Sequence, residues 1–193
     1  MDWYIVDKCY VEYLLKFEKK VGYVDYGDRL KLHVGIVYKI GDFNYYIPIS
    51  SYKPHKHATM NNSLDFHKVV DNSSGQVYSV LNINNMIPVH DNFIIQLKYD
   101  EIELYRNFKS EKEKIDYIYL LQQEKEVLDS INQVISEKAE KLYTKVKLKP
   151  NSKLANRCCN FELLERLCKK YNKEELESDS KIDAKEIAVE LLK

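Results

Sequence analysis

The chain changes its apolar period once, and that change limits what it can fold into. Up to about Tyr99 the apolar residues come in short β-branched and aromatic runs broken by turn residues, whereas beyond it they recur at spacings of three and four. Short strands followed by helices specify an α+β fold with an antiparallel sheet or small barrel, not an alternating βαβ sheet. Trp3 to Val6 reads as a strand, and Asp7 can cap a helix that turns Tyr10, Tyr13, Leu14 and Phe17 inward and ends near Gly22. Lys31 to Ile40 and Phe43 to Ile49 read as a hairpin across Gly41-Asp42. Further extended pieces are expected at Leu64 to Val70, at Gln76 to Ile83 after the turn Asp71 to Gly75, and around Met86 to Val89.

The second half opens on Ser110-Glu111-Lys112-Glu113, a capping box that starts a long helical stretch. Ile115, Ile118, Tyr119, Val127, Leu128, Ile131, Val134, Ile135 and Leu142 give it an apolar stripe expected to face the sheet. Lys145 to Arg157 has no clear period and contains Pro150-Asn151-Ser152, so a loop is expected there. Asn160 caps a further helix with Phe161, Leu164, Leu167 and Cys168 inward, and Asp183 to Glu186 could start a last one. The 193 residues suit one sizeable core, read as a single domain over 1–171 with a charged, partly helical tail over 172–193.

Several function classes lose their footing. The N-terminus lacks a basic segment followed by an apolar one of roughly 7–15 residues, and no apolar run approaches the ~20 residues of a membrane span, so a cytoplasmic protein without membrane partners is expected. Cys9, Cys158, Cys159 and Cys168 form no C-x-x-C pair and read as reduced thiols. There is no G-x-x-x-x-G-K, G-x-G-x-x-G or G-x-S-x-G. Thirty basic residues balance thirty acidic ones, so no whole-molecule field draws in nucleic acid and any basic site must be local.

Two stretches supply that local charge. Between Asp42 and Asp65 there is no acid, and the interval holds Ser50, Ser51, Tyr52, Lys53, His55, Lys56 and His57. Between Glu140 and Glu162 there is again none, while Lys141, Lys145, Lys147, Lys149, Lys153 and Arg157 fall inside. Both could face phosphates, where each neutralised charge releases counterions, and both could equally be solvated loops. In the first, a strand ending in Ile-Pro-Ile runs straight into Ser-Ser-Tyr-Lys, placing two hydroxyls and an ammonium at a rigid strand end. Such groups can neutralise phosphoryl oxygens and assist proton transfer without metal. Spacing alone, however, favours the serines as strand-end caps bonded to backbone. His55, His57 and His67 have no metal-ligand spacing, so neither metal nor cofactor is expected, and an acid–base or phosphate-contacting role for His55 or His57 stays open.

One set of motifs goes further. Trp3-Tyr4-Ile5-Val6 with Tyr10 behind it, K-L-H-V-G-I-V from Lys31, P-I-S-S-Y-K over Pro48 to Lys53, L-N-I-N-N-M-I-P-V over Leu81 to Val89, and C-N-F-E-L-L-E over Cys159 to Glu165 together resemble the ToxN/AbiQ family. The likeness runs to about Tyr171. It implies a toxin of a type III toxin–antitoxin or abortive-infection system, with a twisted, barrel-like antiparallel sheet similar to Kid and MazF, a Src-homology-3-like barrel elaborated with helices. It implies metal-independent cleavage of cellular or phage RNA to 2′,3′-cyclic phosphate and 5′-hydroxyl ends. By position, Ser51 is similar to the family's critical hydroxyl, with Ser50, Lys53, Lys31 and Tyr10 as its active-site companions and Tyr52 as a residue that could stack on a base. The expected partner is a pseudoknotted antitoxin RNA, processed by the toxin and held in a closed assembly with no protein antitoxin. From charge segregation and not from the resemblance, the tract Lys145, Lys147, Lys149, Lys153 and Arg157 is the expected RNA groove, with His55, Lys56 and His57 as further contacts. The rival readings are a non-catalytic RNA-binding module and an interaction protein that docks through the helix from Ser110.

Overall fold

The computed structural model describes residues 1–171. Residues 172–193, with the helix expected from Asp183, lie outside the described residues. In chain order the elements are β1 (Asp2–Val6), α1 (Lys8–Phe17), β2 (Leu32–Ile40), β3 (Phe43–Ser51), the one-turn α2 (Pro54–His57), β4 (His67–Val70), β5 (Val77–Leu81), β6 (Ile87–Val89), β7 (Ile94–Gln96), α3 (Glu111–Ser130), α4 (Asn132–Leu148) and α5 (Phe161–Lys170). The fold is mixed, with helices laid against an antiparallel sheet.

The strands run in the order β4-β5-β3-β2-β1-β7, and β6 pairs with β3 off this path. The end strands β4 and β7 do not pair with each other, so the sheet is open and the expected barrel is not closed. Closure needs every edge to find a partner. Here β7 is only three residues long, and β4 packs against α3 instead. Strand β3 forks: Asn44 to Tyr46 pair with β6, whereas Ile49, Ser50 and Ser51 pair with Leu81, Val80 and Ser79 of β5. The β2–β3 register slips between Val34 and Tyr38. Gly35 sits in that irregular stretch against the Tyr46 ring, where a Cβ would overlap it.

Local chemistry explains the helix starts. The Asp7 side chain accepts from the Tyr10 amide at 3.0 Å and the Asn160 side chain from the Leu163 amide at 3.1 Å, both N-caps as expected. Ser110 accepts from the Glu113 amide at 3.2 Å, but the Glu113 carboxylate takes the Lys109 amide, one residue outside the reciprocal box. The long helical stretch breaks at Ile131 into α3 and α4. Leu128, Ile135 and Leu142 of the expected stripe are buried, but that break and the actual rotation of α3 correct the rest: Leu121 and Glu124 are also buried, while Ile115, Tyr119 and Val134 are exposed. Helix α4 also runs through Leu148, so Lys145 and Lys147 are helical and not part of a loop. Tyr10, Tyr45 and Tyr46 are fully buried and fill the core beside Leu14, Met86 and Leu142. Among the described residues no helix is long and apolar enough to cross a membrane.

Candidate active site

The hairpin register assembles the first pair of functional groups. His33 stands opposite Pro48, so two residues further along the antiparallel ladder Lys31 arrives beside Ser50. Its Nζ donates to Ser50 Oγ at 2.8 Å, and Asn82 Nδ2 donates to the same oxygen at 3.2 Å. Ser51, the last residue of β3, is exposed. Lys53 follows as the N-cap of α2, where Pro54 takes the first helical position. The Lys53 amide donates to Nδ1 of His57 at 3.0 Å, so this buried ring ties the turn that presents Lys53.

These groups open onto one cleft of about 510 Å³. Its walls carry five cations, Arg29, Lys31, Lys53, Lys56 and Arg106, around Ser50 and Ser51. An isolated bridge between Arg29 and Arg106 brings the segment after β7 to the cleft. Burial, then the charges of Lys56, Arg29 and Lys53, hold the Lys31 ammonium below the usual lysine range. Burial and the Lys56, His55 and Lys53 charges likewise hold His57 below the ordinary histidine value. Tyr23, 73% exposed, and Tyr26, 49% exposed, also line the cleft. The Tyr26 ring carries the Arg29 guanidinium at 5.4 Å and Lys31 Nζ at 5.8 Å. A crowded set of cations with two hydroxyls at a strand end is suited to a phosphodiester.

Other expected site residues lie elsewhere. Tyr10 does not reach the cleft: it is fully buried, its hydroxyl donates to the Pro88 carbonyl oxygen at 2.6 Å, and its ring stacks on Phe93. Burial raises its pKa far above the usual range, and the ring sits in the core, away from the cleft that holds Ser51. Tyr52 and His55 are not among the cleft's lining residues. The Tyr52 ring lies 5.8 Å from His57, with Lys68 Nζ 6.0 Å from its centroid. The tract from Lys145 to Arg157 forms a separate surface, with Lys145, Lys149 and Lys153 exposed. Within it Lys147 pairs with Glu162 at 3.5 Å, and Arg157 holds Asp65 through Nε and Nη2, both at 2.9 Å.

Sequence reasoning missed Arg29, Asn82, Arg106 and Glu124 as cleft residues. Asn82 sat inside the L-N-I-N-N-M motif, and Glu124 interrupted the inward spacing of Leu121 and Leu128, so each left a readable signal. Among the described residues no group of three or more His, Cys, Asp or Glu side chains could hold a metal ion. Cys158 is buried, and burial pushes its thiol up to about 12, which removes the thiolate a nucleophile needs.

Residues 2–169 match a family model described as Toxin ToxN, type III toxin–antitoxin system. The chain belongs to the ToxN toxin family. It is similar to Endoribonuclease AbiQ of Lactococcus lactis subsp. lactis, with 33% identity over 176 residues and 85% of each chain covered. It is similar also to Endoribonuclease ToxN of Bacillus thuringiensis subsp. kurstaki, with 29% identity over 187 residues, 93% of this chain and 88% of the relative. A solved structure of AbiQ, described as a lactococcal anti-phage endoribonuclease of the type III toxin–antitoxin system, matches this ToxN-family chain with a TM-score of 0.72. Identity there is 30%, covering 93% of this chain and 98% of that one. A second structure, from work on selective toxin inhibition by a non-coding RNA pseudoknot, has a TM-score of 0.73 at 24% identity over 89% of this chain and 98% of that one. The second likeness is one of fold alone.

Proposed function

We propose that the cleft at the end of β3 is where this toxin cuts RNA, with Ser51, Lys53, Lys31 and Ser50 as its working residues. The chain is the endoribonuclease toxin of a type III toxin–antitoxin system, a phage-defence device with an RNA antitoxin. The observation that carries the site is the Lys31 to Ser50 hydrogen bond, which fixes a cation of lowered pKa at the strand end that carries Ser51. In this reading the 2′-oxygen attacks the adjacent phosphorus and the bond from phosphorus to the 5′-oxygen breaks. The 2′-hydroxyl loses its proton and the departing 5′-oxygen gains one, leaving a 2′,3′-cyclic phosphate and a 5′-hydroxyl. Lys31, Lys53 and the Ser51 hydroxyl face the charge that builds on the phosphoryl oxygens, and a fixed donor aimed there is the largest single aid such a site can give. Chemistry of this kind uses no metal or cofactor and runs in the cytoplasm, on a single domain over residues 1–171. The open, helix-elaborated sheet is then an opened relative of the Kid and MazF barrels, a kinship that rests on the family resemblance.

A site that holds a transferring phosphate also holds the cyclic phosphate it makes. A pseudoknotted antitoxin RNA lying along the tract from Lys141 to Arg157 would keep its own cut 3′ end in the cleft by effective concentration, and the resulting closed assembly silences the toxin. His55, Lys56 and Tyr52 supply further RNA contacts in this reading. The test is co-purification from cells that carry the antitoxin repeats, with sizing and end analysis of the bound RNA. Single repeat units ending in cyclic phosphate are expected. Toxin recovered with a protein inhibitor, or only with uncut multi-repeat precursor, contradicts the reading.

A further inference from the structure

Among the described residues the cleft holds one acid beside its cations. Glu124, on the inward stripe of α3, is only 5% exposed yet lines the cleft beside Tyr78, Ser79 and Tyr117. Among the described residues no lysine or arginine forms an ion pair with it, in contrast to surface acids such as Glu137 and Glu162. Without a compensating cation, burial pushes its carboxyl up to about 7. The Ser79 hydroxyl approaches the carboxyl and partly offsets this, yet no group completes a well-formed hydrogen bond to its buried oxygen. Buried polar groups without partners are costly, and where they line a cavity they mark a place for a ligand's complementary groups.

What those groups can hold follows from their chemistry. The ionised carboxyl repels phosphate and accepts hydrogen bonds, while the protonated form adds one O–H donor and keeps a carbonyl acceptor, so in either state its occupant brings a donor. Along an RNA strand the exocyclic amines of adenine, cytosine and guanine are such donors, whereas uracil has no exocyclic amine and offers only its ring N3–H. The position fits a base next to the cut. Ser51 and Ser79 are direct partners across β3 and β5, with side chains on one face and Cβ atoms about 4.5–5.5 Å apart, and Glu124 stands beyond Ser79. Tyr78 and Tyr117 offer half-buried rings for stacking, and the Arg106 guanidinium lies 4.2 Å from the Tyr117 centroid. We infer that Glu124, together with Ser79, reads the exocyclic amine of a base flanking the scissile phosphodiester, so that Glu124 sets cut-site preference and not the chemistry of the cut. This rests on the cleft being the catalytic site.

The test uses the full chain and short RNAs carrying its mapped cut sequence, with the amine deleted from one flanking base at a time. Purine riboside replaces adenosine, 2-pyrimidinone riboside replaces cytidine, and inosine replaces guanosine. Loss of the amine at one of the two positions is expected to slow wild-type cleavage at least roughly 10-fold, the scale of a base-edge contact. Glu124→Met, close in length and apolar, is expected to cut both RNAs at the slower rate. The inference is overturned by a mapped sequence with uracil on both sides, by no effect of amine deletion at either position, or by full discrimination in Glu124→Met. Undiminished cutting by Ser51→Ala would instead remove the cleft as the active site and this inference with it. An inactive Ser51→Ala beside unchanged discrimination in Glu124→Met sinks the inference alone.

Discussion

Lys31 and Lys147 are the same side chain in two settings. Lys31 is held between strands, bonded to Ser50, short of solvent and crowded by Lys56, Arg29 and Lys53, and its ammonium is weakened accordingly. Lys147 stands on the exposed end of α4, 3.5 Å from Glu162, with water to solvate it. A charge kept from water acts strongly on whatever enters beside it, whereas an exposed one is screened within roughly 8–10 Å at ordinary salt. In the proposed function the cleft is therefore the place to change a phosphate and the tract the place to hold one. Both look alike as acid-free runs of lysine, and only the strand register separates them.

The sharpest way to break this division is to remove groups from the cleft. Ser51→Ala and Lys53→Ala are each expected to lower the single-turnover cleavage rate by roughly 10²–10³, the scale of a lost oxyanion donor, with a thermal melt close to wild type. A folded Ser51→Ala protein that cuts at full rate would reduce Ser51 to a strand-end cap. A smaller effect of a different kind is expected from the tract. Charge reversal of Lys147 and Lys149 to Glu should weaken antitoxin RNA and reduce the slope of log affinity against log salt by roughly 0.7–0.9 for each phosphate that is no longer neutralised. Cleavage of a short unstructured RNA should stay near the wild-type rate. A variant that binds the antitoxin RNA with an unchanged salt slope would remove the groove from this surface.

The strands and their order of appearance were legible because period and turn residues agree locally, as at Gly41-Asp42 and Asp71 to Gly75. Asp7, Ser110 and Asn160 announced the helix starts, since a cap depends on three or four neighbouring residues. The three-residue β7 carries too little pattern to read, and the rotation of α3 was decided by packing that buries Leu121 and Glu124 in place of Ile115 and Tyr119. The same limit applies to the site. The strand end at Ser50 and Ser51 could be read from the chain, but the arrival of Arg29, Asn82 and Arg106 depends on long-range pairing.

Tyr10 shows the opposite case, a residue whose motif position pointed to the active site while the fold buries it. It serves as the control for both regions. Tyr10→Phe leaves the Pro88 carbonyl without its donor and is expected to cost about 1–3 kcal/mol in a denaturation experiment, with the cleavage rate per folded molecule unchanged. A rate loss comparable to that of Ser51→Ala, at unchanged stability, would return Tyr10 to the active site.

The division of labour between cleft and tract requires the scissile phosphate to sit at the end of β3 and not on the tract. The most direct measurement is photocrosslinking of an uncleavable RNA with a single 2′-deoxy nucleotide at the cut position and a photoreactive base beside it, followed by peptide mapping. Crosslinks confined to the cleft segments, residues 21–32, 48–57, 78–85 and 106–124, are the predicted result. Crosslinks concentrated in residues 141–157 would contradict it.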